Sequence, residues 1–142
     1  MKKNCHVYDY PDQSVGPPYA VRHNPWVYFS HGRRDCLAND QDRTPFAGDV
    51  AHNALPNVGF LIPSLDHDAH NSSHATAGSW LKHQLKLVMA STDFTSGKLV
   101  VVVTADEDDR HSGNVVLTSV LSSRLSHKVV VGTPLMRYSL TG

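Results

Sequence analysis

The hydrophobic residues of this chain form short runs that lie mainly in its second half. The run at residues 57–62 is brief and is closed by Pro63, which favours a buried strand over a helix. Residues 98–104 are the clearest strand, because residues 99–103 are five successive aliphatic side chains, four of them β-branched, a pattern typical of a strand buried on both faces of a parallel sheet. Residues 115–121 and 128–131 are two further candidate strands.

Between the first two strands, the apolar positions recur every three or four residues, which predicts a helix that ends near Ser91. One face of this helix consists of Ala77, Trp80, Leu81, Gln84, Leu85 and Val88. The strand, helix, strand order predicts an α/β fold, with a mostly parallel sheet flanked by helices.

Residues 1–56 are irregular in pattern, because the prolines at positions 11, 17, 18, 25 and 45 interrupt any long helix and the only apolar run is short. We expect a loop-rich segment lying over an α/β core formed by residues 57–142. With 142 residues and 40% hydrophobic content, the chain has the size of a single folded unit.

The net charge of the chain limits the classes of partner that it is expected to bind. The 13 basic and 13 acidic side chains cancel, which disfavours binding to nucleic acid or to an anionic membrane. No run approaches the roughly 20 apolar residues of a membrane span, and Met1 leads into polar sequence, so we expect any export signal to lie upstream. Cys5 and Cys36 are compatible with a disulfide or with two free thiols.

Two polar runs follow the predicted strands. Residues 106–109 are four successive acidic side chains, whose hard oxygens suit divalent cations, although a solvated turn is the competing interpretation. In the other run, Asp66, Asp68 and His70 would share one face if the segment were extended, whereas His67 would point away. A neighbouring carboxylate can orient a histidine to contact a phosphoryl oxygen or to protonate a leaving group, and a solvated polar loop is the alternative.

The carboxyl ends of parallel strands meet at one edge of an open α/β sheet, where ligands bind. Because each polar run follows a strand, we expect the two runs to form one pocket. His74, His83, His111 and His127 lack comparable neighbours and are interpreted as surface residues.

Three segments occur together in an order that resembles one family. They are residues 19–29 (YAVRHNPWVYF), 63–71 (PSLDHDAHN) and 104–109 (TADEDD). The chain is similar over about Tyr19 to Ser139 to the bacterial phosphoesterase family of acid phosphatases and phospholipases C. The resemblance implies an alkaline phosphatase-like α/β sandwich in which a metal ion polarises a phosphate ester that a Ser or Thr attacks.

Roles follow from the resemblance by position. Asp106 and Glu107 would be ligands of a divalent metal ion whose identity the sequence does not specify. His70 would contact the phosphate, Asp68 would orient it, and His23 would belong to the same pocket. Members of the family tend to have a disulfide where this chain has its two cysteines, which implies a bridge and a secreted or periplasmic parent protein.

The chain also departs from the family. The nucleophile and the first Glu-Asn metal motif lie upstream of the His-Asn-Pro segment in the family, and neither has a counterpart here. Arg137 replaces a usual His, and Asn71 stands where an Asp is common. We therefore expect the C-terminal part of a phosphoesterase domain, an incomplete catalytic unit for small phosphate esters, monoesters above all, or phospholipid head groups. The alternatives are a non-catalytic module that binds metal or phosphate and a structural remnant without a ligand.

Overall fold

The computed structural model of the chain describes residues 45–111 and 113–132, the strand residues 6–9 and 40–42, and the single residues 28, 30, 34 and 38. The chain divides into two compact units, residues 1–95 and 96–142. The first contains β1 (His6–Asp9), β2 (Asp40–Asp42), α1 (Phe46–Ala51), β3 (Gly59–Leu61), α2 (His74–Met89) and α3 (Thr92–Thr95), and the second contains β4 (Val101–Thr104) and β5 (Thr118–Leu121).

The first unit is built around a parallel three-stranded sheet with the order β2-β1-β3. The α/β class and the predicted strand β3 are confirmed. Strands β1 and β2 and helix α1 lie within the segment 1–56, where the sequence pattern predicted no regular element. β1 has 4 residues and β2 has 3, which is too short for a hydrophobic period to be recognised.

Helix α2 confirms the predicted helix, and its start has a clear local cause. The Ser73 side chain accepts a hydrogen bond from the Thr76 backbone N–H at 3.1 Å, the usual arrangement of a helix N-cap. At the other end, the buried Ser91 hydroxyl donates to the Val88 carbonyl at 2.7 Å and accepts from the Phe94 N–H at 3.2 Å. The Ser91 side chain therefore bonds to the last turn of α2 and to the first turn of α3.

The hydrophobic core of the first unit is formed mainly by side chains from its helices. The buried apolar side chains are Phe46, Val50, Leu55, Val88 and Phe94. Gln84 lies among the buried residues at 3% exposure, on the face of α2 that the sequence assigned to the core. No helix in the described part of the chain is long and apolar enough to span a membrane.

The second unit is a two-stranded antiparallel sheet in which Val102 lies opposite Val120. The prediction that the strand at residues 98–104 is parallel and buried on both faces is therefore wrong. The segment 105–117 contains no described helix that could carry a parallel crossover, so the chain returns beside β4. Side chains alternate between half-buried and exposed along β4, as they do when only one face of a sheet is covered.

The predicted strand at residues 128–131 is also wrong, because no strand forms there and Val129, Val130 and Val131 are exposed. An apolar run becomes a strand only where a neighbouring strand can pair with it. Before β4, Gly97 has φ +75° and its carbonyl accepts a 2.8 Å hydrogen bond from Arg124 Nε. This contact joins the residues that precede β4 to those that follow β5.

Candidate functional site

The acidic turn, residues 105–114, leaves directly from the end of β4. Ala105 N–H donates to the Leu117 carbonyl at 3.3 Å, and the hydroxyls of Thr104 and Thr118 hydrogen-bond across the strands at 3.0 Å. These contacts continue the pairing of β4 and β5 up to the first acidic residue. The sheet thus holds the base of the turn.

Two of the four carboxylates organise the turn itself. Asp108 accepts a hydrogen bond from the Asn114 N–H at 2.7 Å, and Asp109 accepts one from the His111 N–H at 2.9 Å. Arg110 and Asn114 have φ values of +63° and +65°, which a tight turn requires. The resemblance assigned the metal to Asp106 and Glu107, and in the structure the other two carboxylates of the run, Asp108 and Asp109, bond to the backbone of the turn itself.

Asp106 and Glu107, the predicted metal ligands, are exposed at the start of this turn. Glu107 lies 3.9 Å from Arg110, and both side chains are largely in solvent, so this ion pair contributes little. Carboxylate oxygens are the donors that hard divalent cations prefer. Within the described residues, however, no group of three or more His, Cys, Asp or Glu side chains is placed to hold a metal. The two residues fit such an ion in chemical type and supply only part of a coordination shell.

The second candidate segment, residues 64–71, follows β3 as a series of turns. Since it is not extended, the alternation argument that placed Asp66, Asp68 and His70 on one face does not hold. The Asp68 carboxylate accepts a hydrogen bond from the His70 backbone N–H at 2.8 Å, across Ala69 at φ +69°. The His70 ring instead contacts Asn71, with 2.8 Å between Nδ1 and Oδ1.

A Ser–His–Trp contact in this segment was not predicted. Ser64, which is 8% exposed, has its hydroxyl 2.9 Å from His67 Nδ1, and the His67 ring lies 6.2 Å from the Trp80 ring of α2. His67 thus contacts α2, although the sequence pattern assigned it no role. The only available signal was the spacing, which places His67 three residues after a serine and thus within one turn of it.

The argument that brought the two runs together at one sheet edge is wrong, because β3 and β4 belong to different sheets. A common pocket for Asp68, His70, Asp106 and Glu107 stays a prediction. His23, Cys5 and Cys36 lie outside the described residues.

Comparison with known proteins supplies the family. The model of the Phosphoesterase family matches residues 8–119, a range that contains both the 64–71 segment and the acidic turn. A phosphate-repressible acid phosphatase of Penicillium chrysogenum is 33% identical over 96 residues, which is 66% of this chain and 23% of that protein. A phosphatidylinositol-3-phosphatase of Mycobacterium tuberculosis is 36% identical over 100 residues, 70% of this chain and 32% of that protein.

An acid phosphatase of Aspergillus fumigatus is 27% identical over 105 residues, 72% of this chain and 23% of that protein. The chain thus spans about a quarter to a third of the length of these relatives and matches their C-terminal part. No solved structure matches it. Since the family model covers most of the chain and includes both candidate segments, this protein belongs to the Phosphoesterase family.

Proposed function

We propose that this chain carries the phosphate-contacting and metal-binding C-terminal part of a phosphoester hydrolase that acts on phosphomonoesters. The observation that carries the proposal is the family match over residues 8–119, which includes the histidine segment and the acidic turn. The acid phosphatase relatives favour a small monoester as the substrate. The phosphatidylinositol-3-phosphatase makes a phospholipid head group the alternative substrate, with the same phosphomonoester bond. The family's alkaline phosphatase-like sandwich is part of the proposal.

The roles proposed for the residues agree with their chemistry. Asp106 and Glu107 would hold a divalent cation, which when bound supplies positive charge to a phosphoryl oxygen. His70 would contact the phosphate through its ring, and Asp68 would fix the backbone of His70 through the 2.8 Å hydrogen bond. His23 is proposed for the same pocket on the resemblance alone.

One observation favours the second candidate, a non-catalytic module that binds metal or phosphate. Covalent catalysis needs an accessible and activated nucleophile. Ser64 is buried, the Ser72 hydroxyl is buried, and the Thr104 hydroxyl bonds to Thr118. Of these three hydroxyls, which lie in or beside the two segments, two are buried and the third, the exposed Thr104 hydroxyl, is already hydrogen-bonded to Thr118. We therefore expect no turnover by this chain alone.

A secreted or periplasmic location is proposed together with a Cys5–Cys36 disulfide. The family resemblance implies a secreted or periplasmic parent protein, and a disulfide persists in such an oxidising compartment. A closed loop of this length would stabilise the first unit by about 3 kcal/mol. Mass mapping of protein purified without reductant tests the bridge, and two free thiols would contradict it.

The metal proposal is tested by calorimetric titration of the full chain with Mn²⁺, Ca²⁺ and Zn²⁺. The variant Asp106→Asn/Glu107→Gln keeps the size of both side chains and removes their charge, so we expect at least a tenfold loss of affinity. Asp49→Asn, at a half-buried carboxylate of α1 outside both candidate segments, is the control and should bind as the unmodified chain does. Equal binding by all three proteins would place the metal elsewhere.

A parallel assay with p-nitrophenyl phosphate separates the two candidate functions. The unmodified chain should hydrolyse it no faster than the double variant. Turnover that disappears in Asp106→Ala would show that the chain is itself an active hydrolase and that an unrecognised nucleophile is present.

A further inference from the structure

The contact between His70 and Asn71 determines which ring nitrogen of the histidine carries its proton. Asn71 Oδ1 lies 2.8 Å from His70 Nδ1. An amide oxygen only accepts hydrogen bonds, so Nδ1 must be the donor in this pair. A neutral His70 in this arrangement carries its proton on Nδ1 and a lone pair on Nε2.

We propose that Asn71 is a positioning residue, which holds His70 in its Nδ1-protonated form so that Nε2 is the ring atom presented to a ligand. Its importance for phosphate rests on the proposed function, in which His70 contacts a phosphoryl oxygen. The assignment of the proton does not depend on that function, because it follows from the hydrogen bond itself.

The backbone of the segment supports this arrangement. Asp68 Oδ1 accepts from the His70 N–H at 2.8 Å, closing a turn through Ala69, whose φ is +69°. Two residues after Asn71, Ser73 caps helix α2. The histidine is thus held at its backbone nitrogen by Asp68 and at its ring by Asn71, within a loop that ends on a helix. Neither contact involves Nε2.

The position of the proton decides how His70 meets a phosphate. With Nδ1 committed to Asn71, a neutral ring offers only the lone pair of Nε2, which accepts from a protonated phosphoryl oxygen or from water. The imidazolium form carries protons on both nitrogens and donates from Nε2 to an anionic phosphoryl oxygen while it keeps its bond to Asn71. A fully deprotonated phosphate is therefore held only by the charged ring. If the neutral ring instead carried its proton on Nε2, it would also donate to a fully deprotonated phosphate.

The test is ¹⁵N NMR of the histidine rings in the full chain, at a pH where the rings are neutral, because the two tautomers have distinct nitrogen shifts. The His70→Gln spectrum identifies the His70 signals. The unmodified chain should show His70 with its proton on Nδ1. Asn71→Ala should shift the tautomer ratio by roughly threefold to tenfold towards Nε2–H, the effect of losing one hydrogen bond of ordinary net strength. Asn71→Asp keeps an acceptor oxygen and should retain the original tautomer.

Ser126→Ala is the matched control, because Ser126 contacts the ring of His127 at 3.0 Å in the second unit. It should leave the His70 signals unchanged, and the His127 signals should be unchanged in Asn71→Ala. An unmodified chain with the His70 proton on Nε2, or a ratio that is the same in Asn71→Ala, would overturn the proposal.

Titration with inorganic phosphate separates this inference from the proposed function. A response of His70 Nε2 to phosphate supports both. An Nδ1-protonated His70 that does not respond would support the positioning role of Asn71 and contradict the phosphate contact.

Discussion

The two units of this protein differ in how they hold their candidate residues. The first unit has a buried core, and its histidine segment leads into helix α2, which contributes Val88 to that core. In the second unit, no described residue is buried to the same degree. Its exposed large hydrophobic residues are Val100, Val102, Val115, Leu117, Val120, Leu125, Val129, Val130 and Val131. The acidic turn is therefore attached to a sheet that has no buried core among the residues the structure describes.

The difference has a physical cause. A two-stranded sheet has one paired edge per strand and buries too little apolar surface to be stable alone in water. The carboxylates of the acidic turn are then fixed mainly by local hydrogen bonds, such as the 2.7 Å bond of Asp108 to the Asn114 N–H. The histidine segment is fixed both by local hydrogen bonds and by the ring contact of His67 with Trp80. Among the described residues, the unit that carries Asp106 and Glu107 is thus also the unit without buried apolar side chains.

The largest expected effect is a contrast between two valines. Val88 is 7% exposed and Val102 is 44% exposed. Val88→Ala should lower the free energy of unfolding by about 2 kcal/mol, because it removes buried methyl groups and leaves a cavity. Val102→Ala should lower it by less than about 0.5 kcal/mol, as surface substitutions do. Urea denaturation of the full chain measures both. Equal losses would show that Val102 is covered in solution and would end the contrast between the units.

A second contrast concerns two glycines. At Gly97, φ is +75°, and a Cβ would lie 2.5 Å from Arg124 Nε, so Gly97→Ala should destabilise the second unit by about 1–2 kcal/mol. Nothing lies within 4 Å of a Cβ at Gly78 in α2, and Gly78→Ala should stabilise the first unit by about 0.5–1 kcal/mol. Thermal unfolding measures the direction of both changes in stability. A neutral Gly97→Ala would mean that its contact with Arg124 does not constrain the second unit.

The smallest contrast is between two serines that accept hydrogen bonds from backbone N–H groups at 3.2 Å. Ser91 does so in the buried junction of α2 and α3, and Ser122 does so on the surface after β5. Ser91→Ala should destabilise the chain by about 1 kcal/mol, because it removes a helix cap and a buried hydrogen bond. Ser122→Ala should change stability by less than about 0.5 kcal/mol, because water replaces the hydroxyl. Chemical denaturation compares them, and the reverse order would contradict the assignment of the core to the first unit.

The candidate residues show how far sequence reasoning extends at the level of the site. The residue types and their placement after strands could be recognised from the order of the motifs, and the family match confirms the resemblance. The partners of those side chains could not. Asp68 was expected beside the imidazole of His70, and it accepts from the backbone instead, while Asn71 contacts the ring. A turn at Ala69 decides this, and the sequence carries no strong signal for a left-handed alanine.

The sequence by itself determined the elements whose signal is local. The period of the apolar residues predicted α2, and short continuous aliphatic runs predicted β3 and β4, because each of these signals lies within the element itself. Only the tertiary structure decided how the strands pair. β1 and β2 are too short to carry a pattern, yet they complete the parallel sheet with β3, and β4 pairs with β5 in the antiparallel direction. Pairing and burial depend on residues far apart in the chain, so no window of sequence contains them.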